Sequence, residues 1–256
     1  MKIRTIKCSF TNSRGYLLDA RIDAPADNDN APSRFIIFCH CFTCNKETLT
    51  TFRLSRLLAA SGYTVLRFDF TGLGGSEGDF STTTFSSTQD DLRSAIAFLK
   101  NRYHAPAFLM GHSLGGTTAL SVAQEFDFVK GVVTVASPCE PEHVLHHFGH
   151  ALTLLEQGSP ASFEVAGAFY DITPEFVDNV RSADMKQRLA NLKKPVLIFN
   201  VKDDALVSAA DSRQIQDWSA GETTLIDVIG SNHLLSNREA TEGVAHDIVQ
   251  WMQNIQ

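Results

Sequence analysis

Short apolar runs, separated by segments with helical spacing, set the pattern of this chain. Runs rich in β-branched and aromatic residues stand at Phe35 to Cys39, Thr64 to Phe68, Ala107 to Met110, Gly131 to Ala136, Val196 to Asn200 and Thr223 to Val228. Each is about the length of one strand. Between most of them, apolar residues recur at helical intervals, as in Leu54, Leu57 and Leu58 before Gly62 and in Leu92, Ile96 and Leu99 before Pro106. Alternation of strand and helix predicts an α/β fold with a mostly parallel sheet flanked by helices. Ile3 to Phe10 and Tyr16 to Ile22 are joined by Asn12-Ser13-Arg14-Gly15 with no helix between them, which predicts an antiparallel hairpin at the sheet edge.

The alternation breaks between Pro138 and Lys194. That stretch holds a His-rich helix-like segment, a turn at Gly158 to Pro160, a hairpin-like piece around Phe163 to Ile172 and two further amphipathic segments. Lying between one core strand and the next, it is expected to be an inserted lid, approximately residues 138–194, within a single domain spanning 1–256. A chain of 256 residues suits one large α/β domain. With 43% hydrophobic and 20% charged residues the balance is globular. A net charge of −7 without a clustered Lys/Arg stripe argues against a nucleic-acid partner. The opening MKIRTIKCSF alternates like a strand, unlike a secretion signal, and the longest apolar runs are too short to cross a bilayer. A cytoplasmic protein without membrane insertion is therefore expected.

Chemistry concentrates where the strand Phe108-Leu109-Met110 runs into Gly111-His112-Ser113-Leu114-Gly115-Gly116, followed by a helix-compatible stretch. A G-x-S-x-G between strand and helix resembles the nucleophile elbow of the α/β-hydrolases, in which the serine stands at the apex of a sharp turn. Glycines at 111 and 115 let strand and helix approach without Cβ clashes. A serine hydroxyl is a weak nucleophile, so it needs a base, and the base needs a group to fix its tautomer. In this fold the order along the chain is Ser, acid, His. Asp204, in the loop Val201 to Val207, is the expected acid, with Asp203 as its rival. Asp204 is favoured because D-x-x-V, common in such acid loops, pairs it with Val207. His233, in the loop after the last strand, is the expected base. The oxyanion formed on attack needs N–H donors. Leu114 is expected to supply one and Phe42, in His40-Cys41-Phe42-Thr43, the other, with Cys41 in the place usually held by glycine.

Four strings together carry a more specific resemblance: His40-Cys41-Phe42-Thr43-Cys44, Arg67-Phe68-Asp69-Phe70-Thr71-Gly72-Leu73-Gly74 with Ser76-Glu77-Gly78, GHSLGG, and His233-Leu234-Leu235-Ser236. These resemble bacterial α/β-hydrolases found beside or fused to OsmC-type peroxide-reducing domains. The resemblance implies the fold and a Ser, Asp, His triad.

The expected function is that of a serine hydrolase, cleaving a carboxylic ester or related acyl bond through an acyl-enzyme on Ser113, with a small-molecule acyl substrate and no cofactor. Two alternatives stand beside it. One is an accessory or binding protein of hydrolase fold linked to the oxidative-stress response. The other is a thiol-based redox role at Cys41 and Cys44. Five cysteines, three of them at 39, 41 and 44, do not read as a disulfide framework, and the expectation is reduced packing thiols. His143, His146, His147 and His150 share a helical face if their segment is an α-helix; they could line the pocket, bind nothing or form a pH-sensitive lid surface, and the resemblance favours pocket lining, with no metal expected. Asp69, at a strand end, is expected to brace the loop Thr71 to Ser76 through backbone hydrogen bonds. The inserted segment's Phe148, Leu152, Leu154, Leu155, Phe163, Phe169 and Phe176 either shape a pocket for an apolar acyl group or form that segment's own core.

Overall fold

The computed structural model describes residues 1–26 and 34–255. Its strands, in chain order, are β1 (Ile3–Thr11), β2 (Leu17–Pro25), β3 (Phe35–Cys39), β4 (Thr64–Phe68), β5 (Pro106–His112), β6 (Gly131–Val135), β7 (Ala161–Val165), β8 (Ala168–Ile172), β9 (Val196–Val201) and β10 (Thr223–Val228). The helices are α1 (Leu49–Ala60), α2 (Phe85–Arg102), α3 (Leu114–Ala123), α4 (His150–Glu156), α5 (Pro174–Arg181), α6 (Met185–Asn191), α7 (Ala209–Trp218) and α8 (Arg238–Gln253).

Eight strands form one sheet in the order β1-β2-β4-β3-β5-β6-β9-β10. The pairs from β4 across to β10 are parallel, whereas β2 is antiparallel to both β1 and β4. The hairpin turn is held by Asn12, whose side-chain oxygen accepts from the N–H groups of Arg14 and Tyr16 at 3.0 Å each. Gly15 closes it at φ 87°, a conformation that costs glycine little.

Helices cover both faces, and the period-two alternation of the strands divides the core between them. Ile36, Phe38, Phe108 and Met110 point to the face where α1 and α8 supply Leu54, Leu58, Val244, Ile248 and Met252. Ile37, Cys39 and Leu109 point to the other, against Leu92, Ile96 and Leu99 of α2 and Ala119 and Leu120 of α3. Helix ends carry their own signals. Thr84 and Ser87 form a reciprocal capping box at the start of α2, and Asn237 caps α8.

Between β6 and β9 lies the inserted segment. It contains 3-10 turns at Pro141–His147, α4, the β7–β8 hairpin, α5 and α6. α6 packs against α3 and α7, within the helical layer, while α4 and α5 pack on each other and α4 on the hairpin. The His-rich stretch differs from the expected helix: the 3-10 turns stop at Phe148, and Gly149, at φ 50°, breaks the chain before α4 begins at His150. His150 consequently does not continue the face of the other three.

One buried ion pair ties the hairpin to the parallel strands. Arg67 on β4 is 2% exposed, and its Nε lies 2.7 Å from Oδ2 of the fully buried Asp23 on β2. Oδ1 of Asp23 accepts from Thr5 Oγ1 on β1 at 2.5 Å, and Arg67 Nη1 donates to the Lys46 carbonyl at 3.0 Å. Removing one partner of such a pair leaves an uncompensated buried charge. Arg67→Met is therefore expected to lower the unfolding free energy by about 3 kcal/mol in urea titration; an unchanged midpoint would show that Asp23 tolerates isolation.

Candidate active site

Along the carboxyl edge of the parallel strands, four non-glycine residues take positive φ: Thr43 (55°), Ser113 (53°), Ala136 (49°) and Leu235 (45°). Such conformations persist only when the surroundings impose them, and they gather at sites. At Ser113 the imposing contacts are visible. A Cβ on Gly111 would lie 2.1 Å from the Gly115 backbone, and one on Gly115 would lie 2.4 Å from the Cys39 carbonyl oxygen. A Cβ on Gly116 would meet Ser137 Oγ at 1.9 Å. β5 and α3 are thus packed at backbone contact, and the turn between them has no room to relax. The Ser113 N–H donates to the Val135 carbonyl on β6 at 2.9 Å, which anchors the apex.

His233 follows β10 and Asp204 follows β9, as the sequence order predicted. Nδ1 of His233 and Oδ2 of Asp204 are 2.7 Å apart. The other carboxylate oxygen of Asp204 accepts from Leu206 N–H at 2.8 Å and Val207 N–H at 3.0 Å. The D-x-x-V spacing thereby acquires a cause, since the turn through Val207 caps the carboxylate. Burial alone would raise the Asp204 pKa; the hydrogen bond and charge of His233, with the two backbone donors, outweigh it and hold the carboxyl below its ordinary value. Asp203 is exposed. It is Asp204 that meets His233.

Two buried histidines that the motif reading did not single out hold this arrangement. His112 Nε2 lies 2.8 Å from the His233 carbonyl, which can only accept, so His112 carries its proton on Nε2. The two rings are 4.8 Å apart. Among the described residues, Nδ1 of His112 is buried without a partner. Burial first, and the neighbouring His233 second, push the His112 pKa down to about 3, so it stays neutral beside His233. His40 is likewise buried. Its Nε2 accepts from the Phe70 N–H at 3.2 Å, leaving Nδ1–H to donate to the Cys41 carbonyl at 2.8 Å. His40 therefore couples the loop after β3 to the loop after β4, and burial lowers its pKa too. The signal for His40 was present, as it opens the His-Cys-Phe-Thr-Cys string. For His112 there was none, because the position between Gly and Ser accepts many residues.

Asp69 braces its loop as expected, with Oδ2 accepting from Gly75 N–H at 2.8 Å. It also holds Lys46 through both backbone N–H and Nζ, each at 2.6 Å.

The loop after β3 departs from expectation. Cys41 and Cys44 are joined in a disulfide, not held as reduced packing thiols. The left-handed turn at Thr43 folds the segment so that the two Cα atoms come within 5.2 Å, and contact follows. Cys39 is a free, buried thiol whose pKa burial pushes up, and burial with Asp211 pushes Cys139 up to about 12. Among the described residues, neither Phe42 N–H nor Leu114 N–H donates to a backbone carbonyl. A small cavity of about 20 Å³ is lined by both residues together with Leu73, Phe80, Thr118 and Phe176.

The inserted segment closes over this loop. The Phe42 ring lies 5.9 Å from Phe163, 5.6 Å from Phe176 and 6.2 Å from His147. Phe148, Leu155, Phe163 and Phe176 are buried in a core continuous with the main one, whereas Leu154 and Phe169 are exposed. His143 Nε2 is engaged by the Leu206 carbonyl at 2.8 Å, and His146 Nδ1 by the His143 carbonyl. Burial lowers His143 and takes His147 down to about 4. Among the described residues no group of three or more metal-ligating side chains gathers, and no helix is long and apolar enough to cross a membrane.

A family model, the Alpha/beta hydrolase family, matches residues 36–247. The chain belongs to that family. Among solved structures it is similar to the esterase domain of a Rhodothermus marinus protein, at 32% identity over 100% of this chain and 99% of that one, with a TM-score of 0.78. Est1E from Butyrivibrio proteoclasticus, solved with ferulic acid bound, shares the fold at 19% identity and a TM-score of 0.79, covering 96% of this chain and 98% of that one. A curated relative, an uncharacterised protein of Rickettsia prowazekii (strain Madrid E), is 26% identical over 123 residues, 47% of this chain. That match spans about half, 51%, of the relative's own length.

The neutral state of His112 has a measurable consequence. Its folded value of about 3 lies below the ordinary 6.5, so between those values the unfolded chain binds a proton that the folded chain does not. Stability therefore falls as pH is lowered through this window, with His112 contributing about 2 kcal/mol of the loss between pH 7 and pH 5. Urea unfolding at both pH values should show a smaller pH-dependent loss in His112→Gln than in the native chain. Equal losses would mean that His112 is charged or solvated in the fold.

Proposed function

We propose that this protein is a serine hydrolase that cleaves a carboxylic ester or related acyl bond through an acyl-enzyme on Ser113. The observation that carries the reading is the 2.7 Å contact between His233 and Asp204, with the His233 carbonyl tied to the side chain of His112, the residue next to Ser113. With its Nδ1–H donated to a carboxylate, the His233 imidazole keeps Nε2 free to take the serine proton. Ser113 Oγ attacks the acyl carbon and His233 accepts the proton. His233 then returns it to the leaving alcohol, and a water activated in the same way releases the acid. The N–H groups of Phe42 and Leu114 serve the oxyanion, each unengaged by other backbone groups among the described residues. Membership of the Alpha/beta hydrolase family and likeness to an esterase domain support the ester as substrate class. The cavity lined by Phe42 and Leu114 has room for roughly one water-sized group, which favours a short acyl chain. The inserted segment acts as the lid over the acyl side.

The experiment is hydrolysis of p-nitrophenyl esters of increasing acyl length, with Ser113→Ala alongside. The variant should lose at least about a thousandfold in kcat, and a fluorophosphonate probe should label the native chain at Ser113 only. Acetate and propionate esters should be turned over faster than octanoate. Turnover in Ser113→Ala equal to the native rate would sink the assignment.

A further inference from the structure

We propose that the Cys41–Cys44 disulfide is the positioning element for the oxyanion donor at Phe42, so that its reduction by a dithiol slows the hydrolase; the inference rests on the serine-hydrolase reading above. The bridge spans three positions and closes a ring of backbone around Phe42 and Thr43. Within that ring Thr43 is held at φ 55°, a conformation that a β-branched residue adopts only under constraint. Other bonds also restrain the stretch. The Cys41 carbonyl, in the same peptide unit as the Phe42 N–H, accepts from His40 Nδ1 at 2.8 Å and from Cys44 N–H at 3.2 Å; the Thr43 hydroxyl donates to the Phe42 carbonyl at 2.7 Å, and the Thr43 carbonyl accepts from Tyr170 of the inserted hairpin at 3.1 Å. The Phe42 ring is gripped by Phe163 and Phe176, both borne by the inserted segment. The direction of the Phe42 N–H is therefore set by aromatic packing on its side chain, by His40 on the preceding carbonyl and by the bridge that holds the turn after it. With the bridge open, the strained turn at Thr43 is free to relax, and the N–H swings with it.

The bridge is also open to attack. Cys41 is buried, but Cys44 is partly exposed. Cys39 and Cys139 are buried with raised pKa values and so do not exchange readily. The thiolate of a dithiol attacks the Cys44 sulfur, forming a mixed disulfide and releasing Cys41 as a thiolate that takes up a proton. The second thiol of the reductant then displaces Cys44 as a thiol. In sum, two electrons and two protons pass to the pair, and the reductant leaves as its own disulfide.

The test uses the full chain with p-nitrophenyl acetate. Oxidised protein is compared with protein reduced by dithiothreitol and desalted, the number of alkylatable cysteines being counted by mass spectrometry before and after. Full loss of one oxyanion donor lowers kcat by about 10²–10³-fold, so a displaced donor should lower it by about 10-fold or more with KM changed less than about 2-fold. Reoxidation should restore the rate, and Cys41→Ser/Cys44→Ser should match the reduced protein and ignore the reductant. Two added alkylations with kcat unchanged would overturn the inference. So would loss of the near-ultraviolet circular dichroism on reduction, since the bridge would then hold the fold and not the donor. Ser113→Ala separates the two readings. If it is inactive while the native chain ignores reductant, only the thiol inference fails; if it retains the native rate, the serine reading fails and this inference with it.

Discussion

The hydrogen bond from the Ser113 N–H to the Val135 carbonyl joins the apex of the elbow to the neighbouring parallel strand, and the rest of the site is arranged around that fixed point. It forms because β5 and α3 meet at Gly111, Gly115 and Gly116, where no Cβ has room. A sheet covered on both faces cannot shift a strand without disturbing two cores. The positive φ at Ser113 is held in place by that rigidity. Loops leaving the same edge then need to bring only a few atoms each to the proposed site: Asp204 from β9, His233 from β10 and Phe42 from β3.

Burial divides the labour among the histidines. His40 and His112 are enclosed, neutral and committed to backbone partners, so each works as a hydrogen-bonding spacer between loops. His233 is paired with a carboxylate and keeps partial contact with solvent. Neutrality of His112 matters electrostatically, because an imidazolium there, 4.8 Å from the His233 ring, would oppose the positive charge that the proposed mechanism places on that ring. Its orphaned Nδ1 is an acceptor that no donor reaches among the described residues.

The inserted segment and the loop after β3 form one packing unit. Phe42 lies among Phe80, Phe148, Phe163 and Phe176, so the segment's aromatic core and the expected oxyanion loop share a single cluster. A change in either is felt by the other, since aromatic rings packed at these separations do not move independently. The lysine and carboxylates beneath, Lys46 between Asp19 and Asp69, stiffen the next stretch of the same loop.

Much of the architecture was legible in the sequence because it depends on short-range periodicity. Strand runs, helical spacing, the hairpin turn at Asn12 to Gly15 and the strand-to-helix setting of Ser113 all follow from residues close in the chain. Asp204 and His233 were legible by their order after particular strands, and the preference for Asp204 over Asp203 coincides with the turn that ends at Val207. The tertiary structure alone decided the rest. His112 and His40 became spacers only because the fold buried them beside distant carbonyls and N–H groups. The His-rich stretch lost its common face at Gly149, and Phe148, Phe163 and Phe176 joined the main core while Phe169 stayed outside. Cys41 and Cys44 paired because the turn at Thr43 carried them together. Periodicity reports which face of an element is apolar, whereas burial, tautomer and disulfide pairing depend on which atoms from remote segments arrive at the same place.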